Sequence, residues 1–195
     1  MMLRYRSEII PDEVVHSENT TNDGTARDFI QTILFSIVLF LIINFLTSRI
    51  RVESVSMRET LKPGDYVVVN KIVYKFDDIQ RGDIIVFQPP FQSPEPYIKR
   101  VIGLPGDSIV VDANGISINH QRIAEPYVLR EAGKTGEWIV PPGKIFVMGD
   151  NRGNSSDSRA WGMLPIENVM GKAEFVYWPP SQWGSLTQRV FAANH

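Results

Sequence analysis

One uninterrupted apolar segment dominates the hydrophobic pattern of this chain. Residues 29–46 carry no charged side chain over eighteen positions. A helix of that length spans about 27 Å, close to the ~30 Å hydrocarbon thickness of a bilayer. The residues that follow lack the small-residue cleavage pattern of a signal peptide, so we predict an uncleaved membrane anchor over residues 27–48. A buried core helix is the alternative interpretation of this segment.

Beyond the anchor the pattern changes to short β-branched runs bounded by glycine, proline and asparagine. These runs predict strands at residues 65–70, 83–87, 109–111, 116–118, 144–148 and 173–178. Asn114-Gly115, between two of the runs, is a strong hairpin signal. We therefore predict a mainly β fold class: a single N-terminal transmembrane helix followed, over residues 49–195, by an antiparallel, partly closed β-fold without a further substantial helix. The polar, acidic residues 1–26 predict a disordered tail.

Composition and charge exclude several classes of function. The net charge of -2 argues against a nucleic-acid partner, which would require a basic face. The chain has no cysteine, which excludes thiol catalysis, cysteine-ligated zinc and disulfides. Its three histidines show no metal-ligand spacing, so we expect no metal and no cofactor. A Ser-His-Asp triad remains possible only through His120.

The candidate chemistry begins with a lysine inside an apolar run. Lys99 lies in the strand-like stretch 97–107, where burial disfavours its cationic form and lowers its pKa. A free lysine has a pKa near 10.4, so at neutral pH only about one in a thousand is a neutral base. Ser54 and Ser56 follow the anchor closely, and a polar loop occupies residues 149–159. This order indicates a membrane-bound Ser-Lys hydrolase, although each residue alone is also compatible with a surface lysine or a turn serine.

Four segments in sequence order resemble the conserved boxes of the type I signal peptidases, the leader peptidases that remove signal peptides from exported proteins. The resembling segments are SVSMRETLKPGD at 54–65, RGDIIVF at 81–87, YIKRVIGLPGD at 97–107 and GDNRGNSSDSR at 149–159. The resemblance covers about residues 50–178 and lies behind an anchor at the position that the family uses. It implies that residues 49–195 form the catalytic domain of a serine endopeptidase that needs no cofactor.

The resemblance also implies roles for individual residues. Ser56 would be the nucleophile and Lys99 the general base, with the Ser54 hydroxyl and the Ser56 N–H holding the oxyanion. Ser155 would orient the Lys99 amine by a hydrogen bond. The remaining implied roles are two supporting ion pairs, Asp150 with Arg100 and Asp157 with Arg159, and substrate pockets for small side chains lined by Val52, Met57, Leu61, Tyr97 and Ile98. The substrate backbone would add as an extended strand.

Partners and location are implied less directly. The resemblance gives signal-peptide-bearing preproteins as substrates and the lipid bilayer as the second partner. It places a single-pass protein in the cell membrane with its catalytic domain on the extracytoplasmic side. The distribution of basic residues points the other way: Arg27 precedes the apolar segment 29–46, whereas four basic residues follow that segment within the next 16 positions, namely Arg49, Arg51, Arg58 and Lys62. Because long domains can translocate despite such charges, we follow the resemblance.

Two departures from the family pattern lie in the serine box. Glu59 replaces a proline that would restrict the backbone, and Val55 stands where glycine is common. A carboxylate near the site would favour the ammonium form of Lys99, which is the wrong form for a base. Two further hypotheses therefore remain: a Ser-Lys protease dedicated to one partner or to itself, and a membrane-anchored β-module that binds apolar segments without cutting them.

Overall fold

The computed structural model describes residues 22–58, 60–128, 133–187 and 191–192. Helix α1, Asn22–Leu46, contains the apolar segment 29–46, and its stretch from Gly24 to Leu46 has a mean hydropathy of 2.5 with none of its most apolar window buried. The helix therefore includes residues 22–26, which we had assigned to the polar tail. It ends two residues before the predicted boundary because a strand begins at Thr47. The rest of the tail, residues 1–21, lies outside the described residues.

The residues after α1 form antiparallel strands, as the sequence predicts. The strands are β1 Thr47–Arg51, β2 Tyr66–Asn70, β3 Ile84–Phe87, β4 Tyr97–Gly103, β5 Ser108–Asp112, β6 Gly115–Ile118, β7 Gln121–Ala124, β8 Gly136–Ile139, β9 Lys144–Met148, β10 Leu164–Pro165, β11 Val169–Trp178, β12 Gly184–Ser185 and β13 Phe191–Ala192. Six predicted runs coincide with β2, β3, β5, β6, β9 and β11. The sequence pattern missed β1, β7 and β8, whose residues are largely polar or exposed, and the two-residue strands β10, β12 and β13.

The strands of the described residues form two sheets. The main sheet has the order β1-β2-β11-β3-β4-β9-β10, with β12 paired to β11, and the second sheet has the order β13-β7-β6-β5-β8. The main sheet is open, since β1 and β10 end its path without pairing to each other. The predicted mainly β, antiparallel and partly closed fold is therefore confirmed. Its helices outside α1 are short: α2, Ser158–Trp161, and the single 3-10 turns Val73–Lys75, Ile166–Asn168 and Pro180–Gln182.

Strand β4 occupies a shielded position in the main sheet. It pairs with β3 on one side and β9 on the other, and six of its seven residues are buried. Ile98 packs into one apolar cluster with Val52 and Val86, whereas Val101 packs into another with Phe87. A polar side chain on this strand is therefore removed from solvent and must find its partners within the protein.

The predicted hairpin forms between β5 and β6, one residue out of the expected position. Asp112 pairs with Gly115, so Ala113 and Asn114 make the turn. The Asp112 carboxylate accepts a hydrogen bond from the Asn114 backbone N–H at 2.7 Å, which stabilises the turn locally. Gly115 opens the returning strand at a φ of 129°, a conformation that L-amino acids with side chains rarely adopt.

Candidate active site

The nucleophile candidate lies in a tight turn that the sheet holds at both ends. Just after β1, Val52 donates to the Asp65 carbonyl at 2.8 Å and accepts from the Gly64 amide at 2.8 Å. The chain then turns, with the Leu61 amide bonded to the Met57 carbonyl at 2.8 Å. Ser56 stands in this turn with only 7 % of its surface exposed. Its position is therefore determined by main-chain hydrogen bonds on either side.

Lys99 reaches Ser56 from the centre of the main sheet. Its Nζ lies 2.6 Å from Ser56 Oγ and 3.0 Å from the Ile98 carbonyl oxygen, and the residue is 3 % exposed. Burial lowers the pKa of Lys99 from 10.5 to about 8, against the opposing influence of the Asp157 and Asp150 carboxylates. At neutral pH the neutral amine is therefore far more abundant than in a free lysine, and it lies within proton-transfer distance of the serine.

Donors for a developing oxyanion lie beside the nucleophile. The Ser54 and Ser56 hydroxyls are 3.1 Å apart and share a hydrogen bond. Within the described residues, no hydrogen bond is made by the backbone N–H of Ser56. Both candidate oxyanion donors therefore belong to the nucleophile turn, and the role that the resemblance gives them stays a prediction.

The first predicted ion pair lies directly behind the serine turn. The Arg100 guanidinium donates to both carboxylate oxygens of Asp150, at 2.9 and 2.7 Å, and both side chains are fully buried. Thr60 adds a third contact, donating to Asp150 at 2.6 Å and accepting from Arg100 at 3.3 Å. Arg100 also donates to the Gly82 carbonyl at 3.0 Å. The structure brings these two side chains together, and the pair joins β4 to the polar loop of residues 149–159, here called the catalytic loop.

The second predicted ion pair closes the catalytic loop on itself. Arg159 donates to both oxygens of Asp157 at 2.8 Å, and both side chains are buried. Asp157 also accepts from the Gly149 amide at 3.1 Å and caps helix α2. A Cβ on Gly149 would collide with the Ser56 carbonyl oxygen and the Ser155 hydroxyl, so only glycine allows the loop to approach the nucleophile this closely.

The predicted hydrogen bond between Ser155 and Lys99 is absent. Ser155 Oγ is buried next to Gly149 and has no hydrogen-bond partner among the described residues. The Lys99 amine instead donates to Ser56 and to the Ile98 carbonyl. Ser155 therefore lies at the site without making the contact that we had expected of it.

A cleft of about 630 Å³ opens beside the serine and lysine. Three of the predicted pocket residues, Val52, Tyr97 and Ile98, line it. The other two predicted residues, Met57 and Leu61, do not, because the turn after Ser56 directs both side chains into the core, where they are fully buried. Met57 and Leu61 thus support the nucleophile turn from the core side.

Comparison with known proteins places this arrangement in a family. Residues 26–178 match the model of the family described as signal peptidase, peptidase S26. The chain belongs to this family.

Relatives from several bacteria resemble this signal peptidase family member over most of its length. A probable signal peptidase I-1 of Synechocystis sp. is 42 % identical, covering 72 % of this chain and 76 % of the relative. The signal peptidase I of Bacillus caldolyticus is 41 % identical, covering 71 % and 84 % of the two chains. That of Pseudomonas aeruginosa is 32 % identical, covering 73 % and 69 %.

Two residues of this family member, Asn151 and Thr60, make contacts that were not expected from the sequence. Asn151 donates its backbone N–H to the Ser56 carbonyl and its side-chain amide to the Val55 carbonyl, both at 3.0 Å. Thr60 bridges Arg100 and Asp150, as described above. Both residues lie inside segments that carried the resemblance, so the motif marked them without indicating what they contact.

Two further points of the sequence analysis concern the alternative base, His120, and the departure from the family pattern at Glu59. His120 lies in the exposed turn between β6 and β7, whereas the amine that is hydrogen-bonded to Ser56 is that of Lys99. Glu59 lies outside the described residues, so its effect on the site stays a prediction. Among the residues that the structure describes, no group of three or more His, Cys, Asp or Glu side chains is arranged to hold a metal ion.

Proposed function

We propose that Ser56 and Lys99 are the nucleophile and general base of this enzyme. As a family member, the protein is a serine endopeptidase that removes N-terminal signal peptides from preproteins by a Ser-Lys mechanism. The observation that carries the residue assignment is the 2.6 Å distance between Ser56 Oγ and a buried Lys99 amine whose pKa burial lowers to about 8. A nucleophile that is hydrogen-bonded to a base with a pKa near the working pH is the arrangement that acyl transfer requires.

The reaction then proceeds in two acyl-transfer steps. Lys99 accepts the Ser56 proton as Ser56 Oγ attacks the carbonyl carbon of the scissile peptide bond. The resulting Lys99 ammonium returns that proton to the leaving amine as the C–N bond breaks, which leaves an acyl-serine ester. Neutral Lys99 next takes a proton from water, whose oxygen attacks the ester. The Lys99 proton returns to Ser56 as the signal peptide leaves with a new carboxyl terminus.

Electrostatic stabilisation comes from groups that are already in place. The Ser54 hydroxyl and the Ser56 N–H donate to the oxyanion in both steps. The Arg100–Asp150 and Arg159–Asp157 pairs hold the catalytic loop against the nucleophile turn. Ser155, whose buried hydroxyl makes no hydrogen bond to Lys99, supports the site by packing.

The substrate binds as an extended strand in the cleft between residues 52–56 and 95–99. Val52, Tyr97 and Ile98 give this cleft shallow apolar walls, which favour Ala, Gly or Ser at the first and third positions before the cut. Met57 and Leu61 pack in the core cluster that includes Val52 and Ile98, where they keep the nucleophile turn in place.

In the cell, α1 is the membrane anchor, whose apolar residues 29–46 span the bilayer once, and the residues from β1 onward form the catalytic domain. The lipid bilayer is therefore a partner and nucleic acid is not, in line with the net charge of -2. The catalytic domain lies on the extracytoplasmic side of the plasma membrane, where signal peptides emerge with their cleavage sites.

The test is cleavage of a secretory preprotein by the detergent-solubilised full chain, with the new N-terminus of the product identified. We expect a cut after a small-x-small pattern, and no cut by Ser56→Ala or Lys99→Met. A wild-type cut that Lys99→Met retains would overturn the assignment of the base. Absence of any general preprotein cleavage would instead favour a protease dedicated to one partner or a binding module.

A further inference from the structure

A short segment that leaves the second sheet lies directly on the catalytic loop. After β7 the chain passes through Glu125 and Tyr127, and both side chains are almost fully withdrawn from solvent, the Glu125 side chain at 8 % and Tyr127 at 8 % exposure. Neither residue belongs to the four segments that resemble the family boxes. Their contacts nevertheless reach the arginines that hold the active site.

Glu125 makes the first of these contacts. Its two carboxylate oxygens accept from the two terminal nitrogens of Arg152, at 2.6 and 2.5 Å. Arg152 is 5 % exposed and uses its Nε to donate to the Gly149 carbonyl at 3.1 Å. The bidentate pair thus holds the backbone of the residue before Asp150, and a charged fork of this geometry is among the stronger polar contacts in a protein.

Tyr127 makes the second contact. The centre of the Arg100 guanidinium lies 3.9 Å from the centroid of the Tyr127 ring, on the face of that ring. The Tyr127 hydroxyl donates to Glu125 at 2.8 Å, and burial, with the Glu125 carboxylate, raises the pKa of Tyr127 so that the hydroxyl remains a donor. Arg100 is the partner of Asp150, so Tyr127 limits the movement of that ion pair from the opposite side.

The chain touches the same loop a second time at Gly133. A Cβ at this position would collide with the Arg159 guanidinium and would lie 2.7 Å from the Arg152 carbonyl oxygen. Glu125 and Gly133 therefore contact the catalytic loop at Arg152 and Arg159. Asn151 of that loop bonds the carbonyls of Val55 and Ser56, so these contacts continue to the nucleophile.

We propose that Glu125 and Tyr127 are positioning residues through which the second sheet holds the catalytic loop, and hence Ser56, in the reactive geometry. This inference rests on the proposed Ser-Lys function and adds to it a role for the second sheet. Loosening the segment displaces the Ser56 backbone relative to Lys99, and a misplacement of about 1 Å at a reacting group can cost roughly a hundredfold in rate. Because neither residue lines the substrate cleft, substrate affinity is unaffected.

The test compares Glu125→Gln, Tyr127→Leu and the milder Tyr127→Phe in the full chain, with kcat and KM measured on one peptide substrate. We expect kcat to fall at least tenfold for Glu125→Gln and Tyr127→Leu, and less for Tyr127→Phe, with KM within twofold of wild type. Each rate is measured below the unfolding transition of its variant, so that a loss of folded protein does not contribute. Arg122→Gln is the matched control, because it breaks the exposed Arg122–Asp112 pair of the same sheet.

A double-mutant cycle adds a readout that a merely structural role would not move. Arg152→Lys keeps the positive charge but cannot make the two parallel hydrogen bonds to Glu125. The loss of kcat in the Arg152→Lys/Glu125→Gln double variant should therefore be smaller than the product of the two single losses. Folded variants with wild-type kcat would overturn the proposal while leaving the Ser-Lys function intact. Should Glu125→Gln and Tyr127→Leu fail to fold, wild-type kcat in Tyr127→Phe and Arg152→Lys would overturn it equally. A wild-type chain that does not cleave would contradict the proposed function itself.

Discussion

Lys99 reaches Ser56 from a strand whose neighbours on both sides shield it from water. A lysine at this position is costly as a cation, and its amine has the Ser56 hydroxyl and the Ile98 carbonyl as hydrogen-bond partners among the described residues. The nearby carboxylates Asp150 and Asp157 are each paired with an arginine, which limits how far they favour the ammonium form. At the scale of single residues, the same burial that destabilises the fold therefore produces the base.

This cost predicts that Lys99→Met stabilises the protein at neutral pH. The pKa of Lys99 in the folded protein, about 8, lies below its ordinary 10.5, so at pH 7 the folded state holds a buried cation. By linkage the penalty is full below pH 8 and fades as the pH rises towards 10.5, because the unfolded chain binds more protons in that window. A shift of this size corresponds to roughly 3 kcal/mol, less the value of the two lost hydrogen bonds.

Thermal unfolding of both proteins at pH 7 and pH 10 measures this difference. The variant should melt higher at pH 7, and the gap should narrow at pH 10. Lys144→Met, at an exposed position at the start of β9, is the control and should leave the melting temperature unchanged. A variant that is less stable than wild type by the same amount at both pH values would contradict the account.

At the scale of elements, the approach of the catalytic loop to the nucleophile turn is the critical contact. Gly149→Ala inserts a methyl group where the Ser56 carbonyl and Ser155 already lie, so the loop or the turn must move. We expect kcat to fall by about a hundredfold with the protein still folded. Gly184→Ala in β12, where the added carbon meets only one atom at 4.0 Å, is the control. Near-normal kcat in Gly149→Ala would show that the close approach is dispensable.

The nucleophile turn itself provides another prediction through Glu59, which stands where the family has proline. Glu59→Pro should raise the turnover rate, because proline restricts the backbone of the turn and the substitution removes a carboxylate that would favour protonated Lys99. Glu59→Ala separates these two causes, since it removes only the charge. An unchanged or lower rate in Glu59→Pro would show that this turn is held in another way.

Much of the site was predictable because the residues proposed to carry its chemistry lie in short contiguous motifs. Ser56, Lys99 and both ion pairs were identified from such motifs, and the structure brings them together. Met57 and Leu61 were misplaced because a motif gives the order of residues and not the direction in which a turn points their side chains. Glu125 and Tyr127 carried no signal at all, since their partners lie 27 residues further along and 27 residues earlier in the chain. Contacts of that separation depend on the packing of the two sheets.

At the scale of the whole molecule, the extracytoplasmic side that we propose for the catalytic domain opposes the distribution of basic residues around α1. The chain contains no cysteine, so single-cysteine variants give an unambiguous test. Ile139→Cys, at a position that is 75 % exposed, should react with a membrane-impermeant maleimide in intact cells. Glu8→Cys, before the anchor, should react only after the membrane is permeabilised. The reverse pattern would place the catalytic domain in the cytoplasm.

The central claim is that neutral, buried Lys99 is the base that activates Ser56, and the pH dependence of kcat/KM tests it most directly. Because the reactive form is the neutral amine, kcat/KM should rise about tenfold per pH unit at low pH and level off above an apparent pKa near 8. The profile should be measured with a substrate that has no titrating group in this range. A rate that is already constant between pH 6 and pH 9 would contradict the account, because a lysine with this pKa could not then be the base.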